Sequence, residues 1–134
     1  MKKNLLFVCI ENSNRSQMAQ AFARLLGGDQ LEAFSAGSKP SGRVNPKAIA
    51  AMAELGYDLS THDSKSLQDI PDIEYDLVVT MGCGDECPFV RAKARADWAL
   101  PDPRHLEGAA FLAVRDEIRL RMLAALQQLG IKTG

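Results

Sequence analysis

Residues 4–17, NLLFVCIENSNRSQ, join a short apolar run to a polar loop that separates a cysteine from an arginine. The apolar run is continuous rather than alternating, which is typical of a parallel strand buried on both faces. From Ser16 onward, apolar residues recur at three- and four-residue spacing, which predicts an amphipathic helix. The stretch therefore predicts a strand ending at Cys9, a tight loop, and a helix that begins beside Arg15.

Beyond this stretch, predicted strands alternate with predicted helices. Asn45-Pro46 favours a helix start, with asparagine as the N-cap and proline at the first helical position. The alternation predicts an α/β fold with a parallel sheet in one domain, residues 1–134. The remaining predicted elements are strands at 31–37, 75–81 and 97–100, helices from Pro46 to Gly56, within 61–70 and from 109 to Gly130, and a loop at 82–97.

Four chemically active residues follow the predicted strands. Cys9 ends the first strand, Cys83 and Cys87 follow the strand at 75–81, and Asp102 follows the last one. Ligands of parallel α/β sheets bind outside the carboxyl ends of the strands. We therefore expect these four side chains to converge at one edge of the sheet.

The composition excludes several classes of function. The 134 residues are 46% hydrophobic and 25% charged, with a formal net charge of -1. There is no basic excess for nucleic acid and no polybasic cluster for a membrane surface. The N-terminal apolar run is too short for a signal peptide or a membrane span, so we expect a cytoplasmic protein. Three cysteines in a reducing compartment favour catalytic or metal-binding thiols over structural disulfides.

The loop after the first strand has the properties of an anion cradle. Backbone N–H groups at a helix N-terminus point at a common centre, and the helix dipole adds positive charge there. Arg15 adds a planar fork of donors suited to a tetrahedral oxyanion. The same field favours the thiolate form of Cys9, to which Ser16 can donate a hydrogen bond. The alternative is a buried cysteine that only fills space. The predicted oxyanion-binding loop consists of Ile10, Glu11, Asn12, Ser13, Asn14 and Arg15.

These residues also carry a family resemblance. Cys9 and Arg15-Ser16 form a Cys-x5-Arg-Ser motif, and Gln17 stands where phosphatases with this motif usually have proline. Further segments of the same kind are NRSQMAQAF (14–22), SAG (35–37), VNPKAI (44–49), DLVVTMGCGDECP (76–88) and VRDEI (114–118). Over nearly its whole length, the chain resembles the arsenate reductases of the low-molecular-weight protein tyrosine phosphatase-like family.

The resemblance implies both a fold and a set of residue roles. The fold would be a three-layer α/β/α sandwich with a four-stranded parallel sheet. Cys9 would attack arsenate, Arg15 and the loop amides would bind the oxyanion, and Ser16 would support the thiolate. Asp102 matches the general acid that protonates the leaving oxygen. Without the resemblance, Asp102 before Pro103 is more simply explained as a turn residue.

Two loop residues depart from the pattern of the family. Glu11 stands where relatives often carry a small or basic residue, and a carboxylate facing a bound dianion would repel it. We expect the loop amides to face inward and the Glu11 side chain to face solvent, where it has little effect or tunes partner docking and anion entry. Asn14 replaces a cysteine that some relatives carry, so the loop holds no additional thiol.

Some thioredoxin-coupled relatives bind potassium beside this loop through an asparagine, a glutamate, a serine and an aspartate. Asn12 and Ser35 match, but Gln20 and Lys65 stand where the two carboxylates would be. Because two anionic oxygen ligands are lost, we expect no potassium ion. The Lys65 ammonium either occupies its place or points to solvent.

The resemblance gives Cys83 and Cys87 a role in a thiol relay, in which Cys83 attacks Cys9 and Cys87 then takes over the disulfide. A few relatives instead rely mainly on the first cysteine. Zinc is a further alternative, but no second Cys/His pair accompanies these cysteines, since His62 and His105 stand alone. We therefore expect no metal and no bound cofactor. Electrons would come from an external thiol reductant, namely thioredoxin, glutaredoxin with glutathione, or mycothiol.

Two other functions compete with arsenate reduction. A phosphatase acting on phosphotyrosine or a small phosphomonoester would use the same Cys9, Arg15 and Asp102. Phosphatase relatives usually place an aromatic residue after Asp-Pro, whereas this chain has Arg104. A non-catalytic anion-sensing module would make the thiol and the acid incidental. The expected partners are an arsenate- or phosphate-like oxyanion and a thiol reductant, and the expected state is a monomer.

Overall fold

The computed structural model describes residues 2–81 and 90–133. Within these ranges, one parallel sheet has four strands in the order β2-β1-β3-β4. The strands are β1 (Lys3–Cys9), β2 (Leu31–Gly37), β3 (Leu77–Thr80) and β4 (Arg95–Asp97), and the α-helices are α1 (Arg15–Gly27), α2 (Pro46–Ala53) and α3 (Gly108–Gln128). Short 3-10 helices lie at Gly28–Gln30, Leu59–Thr61 and Pro103–His105. The predicted α/β class and its four-stranded parallel sheet are confirmed.

The central strand β1 packs on both of its faces, as its continuous apolar sequence predicts. Side chains alternate along a strand, so Leu5 and Phe7 face the larger core cluster while Leu6 and Val8 face a smaller one. The larger cluster contains residues of α1, α2 and α3, among them Met18, Phe22, Met52, Ile118 and Met122. This packing fixes the carboxyl end of β1, where Cys9 lies.

The start of α2 follows the prediction from Asn45-Pro46. The Asn45 side chain accepts a hydrogen bond from the backbone nitrogen of Lys47 at 2.8 Å, and Pro46 occupies the first turn. An asparagine cap of this kind satisfies a backbone donor that has no partner inside the helix. The helix ends at Ala53, before the predicted end at Gly56.

The helix predicted within 61–70 is wrong. Its backbone is engaged elsewhere: Lys65 donates to the Asn12 side chain at 2.7 Å, and the Lys65 carbonyl accepts from Gly37. In a turn, the Ser66 backbone nitrogen donates to the Asp69 carboxylate, and the Asp69 backbone nitrogen donates to the Ser66 carbonyl. Side chains that bond nearby backbone groups in this way compete with helix formation.

The last strand lies two residues earlier than predicted, at 95–97 rather than 97–100, and so falls inside the predicted loop. It pairs with β3 only as far as Thr80, and the carbonyl of Leu100 accepts from Arg15 instead of joining the sheet. β3 is likewise shorter than predicted. Residues 82–89 of the predicted loop lie outside the described residues. Within the described residues, no helix is long and apolar enough to cross a membrane.

Candidate active site

A cavity of about 400 Å³ lies beside the carboxyl end of β1. The structure brings Cys9, Arg15 and Asp102 to this one cavity, as the topology predicts. Cys83 and Cys87 lie outside the described residues, so their convergence stays a prediction. Among the residues that the structure describes, the lining consists of Cys9, Ile10, Glu11, Ser13, Asn14, Arg15, Lys39, Asp102 and Arg104.

Cys9 is buried at the end of β1, and its sulfur lies 2.9 Å from the Ser16 hydroxyl oxygen. The Nδ2 of Asn12 donates to that same hydroxyl oxygen at 2.8 Å. Because a lone pair of the Ser16 oxygen accepts this bond, the hydroxyl hydrogen is available for the sulfur. The geometry therefore supports a donor to a Cys9 thiolate.

Arg15 is the first residue of α1 and is 7% exposed. Its Nη1 donates to the Met81 carbonyl at 2.8 Å and to the Leu100 carbonyl at 3.0 Å. These two bonds fix the guanidinium at the edge of the sheet. The other three N–H donors of the fork belong to Nε and Nη2, and an oxyanion in the cavity can accept from them.

The loop owes its shape to Asn12 and to Gly37. Asn12 has a φ of +50°, in the left-handed region that asparagine tolerates better than most residues. Its buried side chain lies behind the loop and outside the cavity lining, so a direct contact with an oxyanion would involve its backbone. A Cβ on Gly37 would overlap the Ile10 carbonyl and lie 2.8 Å from the Cys9 carbonyl oxygen. The glycine thus lets β2 approach the loop closely.

A buried chain of polar side chains supports Asn12 from behind. Gln17 Nε2 donates to the Asn12 carbonyl at 3.0 Å, to Asn12 Oδ1 at 2.9 Å and to the Asp63 carbonyl at 2.9 Å. Gln17 Oε1 therefore faces His62 Nδ1, 2.9 Å away, and this nitrogen must carry the hydrogen. His62 Nε2 then accepts from the Tyr57 hydroxyl at 2.6 Å and from Arg24 at 3.2 Å.

The surroundings of His62 keep its imidazole neutral. Burial, the nearby Arg24 guanidinium and the Lys65 ammonium together lower the pKa of His62 to about 4. An imidazolium would also carry a hydrogen on Nε2, which could then no longer accept from the Tyr57 hydroxyl and from Arg24. His62 is therefore a structural support of the loop.

Asp102 caps a turn and also lies on the cavity lining, and its role as general acid stays a prediction. Its Oδ1 accepts from the backbone nitrogen of Arg104 at 3.0 Å and caps the 3-10 helix Pro103–His105, as a turn residue would. The same residue lines the cavity with Cys9. A carboxyl group held in this position is available to a leaving oxygen in the cavity.

Glu11 lies on the cavity lining, is partly exposed, and has a partner that no local sequence pattern indicates. Its Oε2 lies 2.7 Å from Arg104 Nη1. In the sequence, Arg104 is distinguished only by standing where phosphatase relatives usually have an aromatic residue. Lys39 is another charged residue on the cavity lining, and no local pattern in the sequence distinguishes it from a surface lysine.

The residues compared with a potassium site bond to one another. Ser35 donates to Gln20 Oε1 at 2.6 Å, and Gln20 Nε2 donates to the Ala33 carbonyl at 3.0 Å. Lys65 lines a cavity of about 260 Å³ beside them, its Nζ lies 3.4 Å from the Asp63 carbonyl, and burial lowers its pKa.

Together, a buried thiol at a strand end, an arginine at the start of the next helix and a loop between them define a class of protein: those that attack a bound tetrahedral oxyanion with a cysteine. The comparisons with known proteins place the chain within this class. It belongs to the low molecular weight phosphotyrosine protein phosphatase family, whose model matches residues 4–133.

Within the family, the chain is similar to several arsenate reductases. The chain is 41% identical over 122 residues to the arsenate reductase of Staphylococcus xylosus, covering 89% of this chain and 92% of that protein. It is 38% identical over 123 residues to the glutaredoxin arsenate reductase of a Synechocystis species, covering 90% and 93%. A solved arsenate reductase in the phosphate-binding state superposes with a TM-score of 0.86 at 36% identity, covering 94% and 98%.

Proposed function

We propose that this chain reduces arsenate to arsenite with Cys9 as the nucleophile. The observation that carries the proposal is the Cys9 sulfur, 2.9 Å from a serine hydroxyl, in one cavity with Arg15 and Asp102. An arginine fork binds the oxyanion, and a carboxyl group can protonate the oxygen that leaves. The three groups supply what nucleophilic attack on arsenic requires.

The reaction proceeds in two chemical steps. The Cys9 thiolate forms a sulfur–arsenic bond while an arsenic–oxygen bond breaks, and Asp102 supplies the proton with which that oxygen leaves as water. A second thiolate then attacks the Cys9 sulfur. A disulfide forms, the sulfur–arsenic bond breaks, and its electron pair stays with arsenic, which departs as arsenite.

Reduction is favoured over phosphate ester hydrolysis by the residues around the cavity. Arg104 stands where phosphatases usually carry an aromatic residue for the tyrosine ring, and here it forms an ion pair across the cavity mouth. Gln17 follows Arg-Ser, and its amide supports the loop. The similar proteins named above are all arsenate reductases.

The second thiol is assigned to Cys83 and the outgoing one to Cys87. Fewer residues separate Cys83 than Cys87 from the end of β3 at Thr80, so we expect Cys83 to reach Cys9 first, because exchange depends on such access. An external thiol, either thioredoxin, glutaredoxin with glutathione, or mycothiol, then reduces the resulting disulfide. The reaction takes place in the cytoplasm, where such thiols are kept reduced. One chain supplies Cys9, Arg15 and Asp102, so we propose that it acts as a monomer.

The test is arsenite release with each candidate reductant, run beside hydrolysis of a small phosphomonoester. We expect arsenite with at least one reductant and little ester hydrolysis. Cys9→Ser should bind phosphate but release no arsenite, because a hydroxyl is a much weaker nucleophile at neutral pH. Efficient ester hydrolysis without arsenite release would establish the phosphatase instead.

Variants of the other cysteines test the relay. Cys83→Ser should leave Cys9 trapped as an adduct or dependent on an external thiol, whereas Cys87→Ser should accumulate a Cys9–Cys83 disulfide after one turnover. Mass spectrometry of alkylated, quenched enzyme identifies the bond. A Cys9–Cys87 disulfide alone in the unaltered protein would reverse the order. Full activity of the double variant with a small thiol would remove the relay.

A further inference from the structure

An ion pair between two separate loops spans the mouth of the active-site cavity. Glu11 lies on the oxyanion-binding loop, and Arg104, 93 residues later, lies beside Asp102. The Glu11 Oε2 to Arg104 Nη1 distance is 2.7 Å, the side chains are 38% and 53% exposed, and both residues line the cavity with Cys9. The contact is thus part of the cavity wall.

Arg104 is also bonded to the proposed general acid. Its backbone nitrogen donates to Asp102 Oδ1 at 3.0 Å, while its guanidinium bonds to Glu11. From the opposite side, Lys47 Nζ donates to the Arg104 carbonyl at 3.3 Å and to the Leu106 carbonyl at 3.0 Å. The Asp102 loop is therefore anchored to α2 by Lys47 and to the oxyanion-binding loop by Arg104.

The pair also changes the electrostatics of the mouth. A lone carboxylate here would repel an approaching dianion, and the repulsion between two charges increases as they approach. The Arg104 guanidinium compensates the charge of Glu11 and leaves the contributions of Arg15 and Lys39 to the anion in place. Such partly exposed pairs contribute little to overall stability. A role of the pair in the active site is therefore more informative to test than a role in stability.

We propose that Glu11 and Arg104 form a clasp that holds the Asp102 loop in register with the oxyanion-binding loop. Arg104 is a positioning residue that acts through Asp102, and Glu11 is its anchor. The inference rests on the proposed function, because the reaction it serves is the first chemical step at Cys9. It explains why a carboxylate is tolerated at the rim of an anion site: the carboxylate binds the arginine that positions the acid.

The test is a double-mutant cycle with Glu11→Gln, Arg104→Met and the double variant. Both substitutions remove charge at similar side-chain volume. Single-turnover formation of the Cys9 adduct with arsenate reports on Asp102, and small displacements of a catalytic group can cost up to about 100-fold. We expect each single variant to slow this step by about tenfold and the double variant to be no slower than either, because each removes the same clasp.

Binding of inorganic phosphate separates positioning from simple electrostatics. Glu11→Gln should bind phosphate at least as tightly as the unaltered protein while forming the adduct more slowly. A purely electrostatic role would make this variant faster. Arg104→Lys keeps the charge and should recover part of the rate. Arg121→Met, which breaks an exposed pair with Glu117 on α3, is the matched control and should change neither quantity.

Two results would overturn the clasp. One is an unchanged adduct rate in Glu11→Gln; the other is a double variant whose defect is the product of the two single defects. If the unaltered protein forms no adduct with arsenate, the proposed function fails. The clasp is then judged from urea unfolding of the four proteins, where a real pair gives a non-additive change of up to about fivefold in the unfolding equilibrium constant. Strict additivity there would reject it.

Discussion

The neutral state of His62 makes the stability of this protein depend on pH in a defined direction. The side chain is 8% exposed, donates to Gln17 from Nδ1 and accepts from Tyr57 at Nε2. Burial and two neighbouring cations lower its pKa from 6.5 to about 4. Between these two values the unfolded chain binds a proton that the folded chain does not, so the free energy of unfolding rises with pH.

The magnitude follows from the size of the shift. Each pKa unit corresponds to about 1.4 kcal/mol of differential interaction. The lowering of the His62 pKa from 6.5 to about 4 therefore makes the free energy of unfolding on the order of 3 kcal/mol smaller at pH 4 than at pH 7. This is a large share of the total stability of a small domain.

Urea unfolding between about pH 7 and about pH 4 measures this effect. In His62→Asn, the amide can still donate to Gln17 but cannot titrate, so the pH slope in this window should be smaller than in the unaltered protein. His105→Asn, at the exposed histidine of the chain, should keep the original slope. Titrating carboxylates contribute to the pH slope of both the variant and the unaltered protein. Subtracting one slope from the other removes that shared contribution. Equal slopes for His62→Asn and the unaltered protein would refute the buried, neutral imidazole.

Three further predictions concern the cavity. Arg15→Lys should lose most of the arsenate-reducing activity, because an ammonium cannot copy the guanidinium fork that Met81 and Leu100 hold in place; normal kcat/KM would reject the anion-binding role. Asp102→Asn should slow adduct formation about 100-fold or more in single-turnover experiments, and an unchanged rate would leave Asp102 as a turn residue only. Gly37→Ala should weaken phosphate binding severalfold and lower the urea midpoint of unfolding, since the added Cβ meets the backbone of the oxyanion-binding loop. Phosphate titration and urea unfolding measure the two effects. Values equal to those of the unaltered protein would contradict the close packing.

Much of the fold was predictable because its elements are encoded locally. The continuous apolar run of β1, the helical spacing after Ser16 and the Asn45-Pro46 cap all depend on residues near one another in the chain. The elements that were wrong are those whose backbone groups bond to distant partners. The segment beside Ser66 bonds to Asn12 of the oxyanion-binding loop, and the Leu100 carbonyl bonds to Arg15. Both contacts form only when the chain folds.

The sequence by itself determined the chemistry: a thiol, an arginine and a serine at a strand-to-helix junction, with an aspartate after a later strand. Only the tertiary structure decided how these groups are held. The Gln17–His62 bond joins residues 45 apart, and the Glu11–Arg104 pair joins residues 93 apart. Neither has a local pattern, because the spacing of residues along a strand or helix fixes which face a side chain occupies but not which distant side chain it meets. That choice is made by the packing of the sheet and its loops, which closes the chain around the cavity.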